Sequence, residues 1–97
     1  MNPLQTFRAE WQGIGLTITW RDGLTDDDLP IGQMEVMSDN RVPLPVSETG
    51  YKSGIAPCAD VAAMGGPVAF ALDWLDYAAE SREWKAYVEK SRQLTLF

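Results

Sequence analysis

A chain of 97 residues, 45% apolar and 23% charged, is long enough to close one hydrophobic core and too short for two, and its composition excludes intrinsic disorder. Fourteen acidic against eight basic side chains leave a net charge of −6, which opposes a phosphate backbone, so direct nucleic-acid binding is not expected. No apolar stretch is long enough to cross a bilayer, Met1-Asn2-Pro3-Leu4 lacks the basic and apolar regions of a secretory signal, and a lone Cys58 excludes an internal disulfide, which together predict a cytoplasmic protein without a membrane partner.

Phe7, Ala9 and Trp11 alternate with Thr6, Arg8 and Glu10, the period of two of a strand with one buried face. After a tight turn at Gln12-Gly13, Ile14, Leu16, Ile18 and Trp20 repeat the pattern, and Asp22-Gly23 is read as the end of this second strand. The acidic run Asp26-Asp27-Asp28 precedes a third, weaker strand around residues 33 to 38. From Asp39 to Pro57, three prolines and two glycines predict an ordered, extended connector without a regular element.

Gly65-Gly66-Pro67 marks a helix start, since proline is tolerated at the first helical position. Val68, Ala71, Leu72, Leu75 and Ala79 follow at helical spacing. Ser81 suits the N-cap of a second helix reaching about Arg92, with Trp84 and Val88 inward. The expected fold is therefore α+β: a small three-stranded antiparallel sheet, an extended connector and two C-terminal helices, forming one domain over residues 1–92 with a tail at 93–97. The two helices are expected to cover the face of the sheet that carries Trp20.

The chain has no histidine, which removes the commonest general base and metal ligand. Cys58 lies in the small-residue stretch Ala56-Pro57-Cys58-Ala59 and reads as an inert thiol. Asp26, Asp27 and Asp28 lack the alternating ligands and following glutamate of a calcium loop, and read as a solvated loop. No acid, base and nucleophile set can be assembled, so neither an enzyme nor a cofactor or metal site is expected. Four tryptophans are many for this length; Trp11 and Trp20 belong to the core pattern, whereas Phe70, Trp74 and Tyr77 share a different helical face and offer a possible second partner surface, the other reading being packing on the connector.

The last five residues place Leu94, Leu96 and Phe97 where a terminus would expose them. Gln93-Leu94-Thr95-Leu96-Phe97 resembles the Gln-Leu-Ser/Asp-Leu-Phe peptide by which DNA polymerases and other partners dock on the bacterial β sliding clamp, with threonine as the one departure. Four fixed residues match at one given place about once in 10⁵ random trials. The resemblance implies that Gln93 enters the smaller subsite while Leu96 and Phe97 fill the main apolar cleft. It covers only the tail, and a final edge strand at Leu94 to Leu96 on the protein's own sheet remains the alternative. Elsewhere, Glu48-Thr49-Gly50-Tyr51, Gly65-Gly66-Pro67-Val68 and Trp74-Leu75-Asp76 look similar to short proteins of bacterial plasmids and prophages, a likeness that implies no activity.

Two functional expectations follow. One is a non-enzymatic adaptor or modulator tethered to the replication clamp. The other is an acidic inhibitor of host defence, of the anti-CRISPR or anti-restriction type, in which carboxylates from Asp22 to Asp28 and Glu35 imitate DNA phosphates.

Overall fold

The computed structural model describes the backbone of residues 2–94 and the side chains of residues 2–91. Four strands, β1 (Gln5–Trp11), β2 (Ile14–Asp26), β3 (Leu29–Ser38) and β4 (Tyr51–Pro57), form one antiparallel sheet in sequential order. Three helices follow: α1 (Cys58–Met64), α2 (Pro67–Ala78) and α3 (Arg82–Leu94). Among the described residues no single helix is long and apolar enough to cross a membrane.

The meander arises from two two-residue turns. Gln12 and Gly13 both take positive φ (48° and 82°), as a hairpin turn matched to the twist of its strands requires. Asp27 and Asp28 do the same (49° and 66°) between the paired residues Asp26 and Leu29. Aspartate tolerates this left-handed region better than most residues, so backbone geometry accounts for two of the three consecutive carboxylates.

Period-two alternation then sorts the side chains into two faces. Cross-strand rows such as Phe7, Ile18 and Val36, or Trp20, Met34 and Gly54, face the helices. Leu16, Ile18 and Val36 are fully buried there, and Val61 of α1 with Ala71 and Leu75 of α2 close the core from above. Gly32 makes room for this arrangement: a Cβ at that position would lie 2.4 Å from the Trp20 indole. Trp11, at the end of β1, donates its indole N–H to Asp76 Oδ1 of α2 at 2.8 Å and sits 6.0 Å from the Trp84 ring. Trp11→Phe should lower stability by about 1 kcal/mol through loss of that bond, measured by urea unfolding, since Asp76 is exposed and regains water.

The opposite face is polar. Arg8 donates to Thr17 Oγ1 at 2.7 Å and to both carboxylate oxygens of Asp39 at 2.8 Å, Thr19 donates to Glu35, and the Tyr51 hydroxyl also donates to Glu35. The bond to Arg8 is the main reason that the Asp39 carboxyl is held below its ordinary value of 3.8. The bond to Glu35 is likewise the main reason that the Tyr51 hydroxyl is pushed up. A depressed carboxyl stabilises the fold fully above 3.8 and ceases to do so as the pH falls through its folded value. Asp39→Asn should therefore lower the thermal midpoint slightly at pH 7, where the pair is intact, and the difference should vanish well below about pH 4; the loss is small because both partners are half exposed and screened.

Between β3 and β4 the chain is anchored rather than free. Ser38, buried, donates its hydroxyl to Val42 O at 2.6 Å and its amide to Gly50 O at 2.8 Å, while Leu44 closes a turn with Ser47 and packs into the core.

The expected three-stranded sheet, featureless connector and two helices are corrected by these observations. Residues 51–57 form a fourth strand paired to β3 across its length. Its inward positions, Gly54 and Ala56, are too small to give an apolar signal, and Pro57 is tolerated at the end of an edge strand. Helix α1 occupies residues 58–64, where a single buried residue, Val61, cannot make a periodic stripe. Gly65 and Gly66 (φ 106° and 115°) then turn the chain 85° into α2. Strand β2 also continues beyond Asp22-Gly23 to Asp26, because a bulge between Arg21 and Leu24 absorbs the turn signal. The helices expected from Pro67 and from Ser81 lie at 67–78 and 82–94, and Ser81 Oγ accepts the Trp84 amide at 3.1 Å as an N-cap.

Candidate functional site

Helix α2 buries Ala71 and Leu75 and thereby turns Phe70, Trp74 and Tyr77 toward β4. These three residues stand at i, i+4 and i+7, one stripe of a helix. They line an open groove of about 380 Å³ whose other borders are Met34, Gly54, Ile55, Ala56 and Asp73. Phe70 and Trp74 are half-buried against the core, whereas Tyr77 is 80% exposed and Ile55 69% exposed. These are the two most exposed large apolar side chains among the described residues, and both border this groove. Gly54 keeps it open: a Cβ there would meet nothing closer than the Trp74 ring at 4.0 Å.

The Asp73 carboxylate is the one charge on the lining, and no ion pair or hydrogen bond engages it among the described residues. A second cleft of about 450 Å³ lies between residues 43–48 and the start of α3, where Trp84 and Tyr87 stack with ring centroids 5.1 Å apart.

The structure brings Phe70, Trp74 and Tyr77 together in one surface. Asp26, Asp27 and Asp28 it places elsewhere, exposed at the tip of the β2–β3 hairpin. Glu35 and Asp22 do not extend that acidic tip into a continuous face: Glu35 is engaged by Thr19 and Tyr51 on the polar side of the sheet, and Asp22 accepts a hydrogen bond from Asn2. Of the C-terminal pentapeptide, Gln93 and Leu94 continue the backbone of α3, while their side chains and the whole of Thr95, Leu96 and Phe97 lie outside the described residues. Cys58 is a free, half-buried thiol at the first position of α1. Among the described residues no three His, Cys, Asp or Glu side chains are grouped to hold a metal ion.

Met34, Gly54, Ile55 and Asp73 were not identifiable as site residues from the sequence. The β3–β4 pairing that sets Met34 opposite Gly54 links residues twenty positions apart, and no local pattern announces it.

These features define an α+β domain with one polar sheet face, one helix-covered face and an aromatic groove beside an edge strand. The chain belongs to the KlcB third domain family, whose profile matches residues 4–84, from the start of β1 into the first turn of α3. No curated protein and no solved structure gives a significant match.

Proposed function

We propose that this chain is a cytoplasmic, non-enzymatic protein-interaction module that docks on the bacterial DNA replication sliding clamp through Gln93, Leu94, Thr95, Leu96 and Phe97. The observation that carries this reading is the pentapeptide itself, whose first two residues, Gln93 and Leu94, belong to the backbone of a helix that joins the body through Trp84 against Trp11. Arg82, Lys85 and Lys90 of that helix are exposed, so the segment leading to the motif is basic on a chain of net charge −6. Releasing Gln93 and Leu94 from the last helical turn costs little, because helix ends fray. The family profile matches residues 4–84 and does not reach the pentapeptide. Purified clamp immobilised on resin should retain the full chain and not a chain ending at Arg92; equal retention of both would remove this reading.

The exposed carboxylates of Asp26, Asp27 and Asp28 favour a second reading, an acidic inhibitor of a host defence nuclease. Such binding would weaken steeply with salt, since exposed charges are screened over about 8 Å at physiological ionic strength. Reversing all three charges should then reduce affinity for a basic effector, and an unchanged affinity would eliminate it.

A further inference from the structure

We infer that β4 and the aromatic groove together form a docking site for an extended, basic peptide segment of a partner protein, which adds to the sheet as a fifth strand. Strand β4 is an edge: among the described residues it pairs with β3 alone. In an antiparallel ladder about half of an edge strand's N–H and C=O groups point away from its only neighbour, a template that an incoming extended chain satisfies.

Edges are commonly blunted by charge or proline. On β4 these protections sit toward the ends, at Lys52 and Pro57, while the centre, Gly54-Ile55, is uncharged and apolar. The groove opens beside that same centre. A strand added about 4.8 Å from β4 alternates its side chains, so one residue of each pair faces the helix layer, where Trp74 and Tyr77 stand. A large aliphatic or aromatic side chain fits the cavity of about 380 Å³ and covers Tyr77, which is otherwise 80% in water.

Charge selects the partner. Among the described residues Asp73 is an unengaged carboxylate on an otherwise uncharged rim, and the chain as a whole carries −6. A lysine or arginine next to the apolar anchor residue meets Asp73 favourably, whereas a second copy of this chain would bring a second Asp73 and a second charge of −6 to the interface. All of these residues lie within 4–84, so the site is independent of the C-terminal peptide and of the clamp reading.

The test is selection from a phage-displayed library of random dodecapeptides against the full chain, followed by fluorescence polarisation with the most enriched peptide. Enriched sequences should share alternating apolar residues with a neighbouring Lys or Arg. The bound peptide should slow amide hydrogen exchange across Tyr51–Pro57. Tyr77→Glu and Gly54→Val should each weaken binding by on the order of tenfold or more without moving the thermal midpoint. Asp73→Lys should abolish the preference for basic peptides, and removal of residues 93–97 should change nothing. The inference is overturned if no peptide is enriched, if binding leaves β4 exchange unchanged, or if the variants bind as well as the parent. Concentration-dependent dimerisation in sedimentation that Tyr77→Glu abolishes would overturn it as well, by assigning the groove to a second copy.

Discussion

Leu75→Ala is expected to cost about 2–5 kcal/mol, because Leu75 is fully buried where α2 meets the sheet and its removal leaves a cavity beneath the helix. Domains of this size are stabilised by only about 5–15 kcal/mol, and about 1 kcal/mol moves the midpoint by roughly 4–8 °C. The midpoint should therefore fall by about 10 °C or more, read by circular dichroism. Tyr77, two residues along the same helix and 80% exposed, is the control: Tyr77→Ala should stay within about 0.5 kcal/mol of the parent. The contrast separates the two faces of α2. A comparable loss for Tyr77→Ala would mean that the groove is part of the core rather than a surface available to a partner.

That division of α2 was legible in the sequence, because a helical stripe needs only local spacing: Ala71 and Leu75 fall on one side, Phe70, Trp74 and Tyr77 on another. The first hairpin was legible for the same reason, its alternation running unbroken through Trp11 and Trp20. Strand β4 was not. Its inward residues Gly54 and Ala56 are small and its outward residue Ile55 is apolar, so the contrast on which alternation depends is inverted. What makes residues 51–57 a strand is pairing with β3, a long-range cause that composition does not record. Helix α1 was hidden differently, since seven residues are fewer than two full turns and only Val61 reaches the core. The groove inherits both obscurities: its helix wall is written in the sequence and its sheet wall is written in the register.

The same distinction governs the C-terminal peptide. If Gln93 to Phe97 serve the sliding clamp, the double substitution Leu96→Ala and Phe97→Ala should abolish clamp binding and leave the thermal midpoint of the free chain nearly unchanged. Burial of Leu94, Leu96 and Phe97 supplies roughly 5–9 kcal/mol gross at about 1.5–3 per side chain. Association and the ordering of the segment, including the opening of the last turn of α3, oppose much of it, so the expected affinity is micromolar. Isothermal titration of clamp with parent and variant reads the binding, and a melting curve of each reads the fold. A midpoint lowered by many degrees would instead make the pentapeptide a structural strand on the chain's own sheet, for which the open edges of β1 and β4 are the available places. The two outcomes are mutually exclusive for a physical reason: side chains that the domain already buries have no apolar surface left to give to a partner, whereas side chains held for a partner contribute nothing to the fold they hang from.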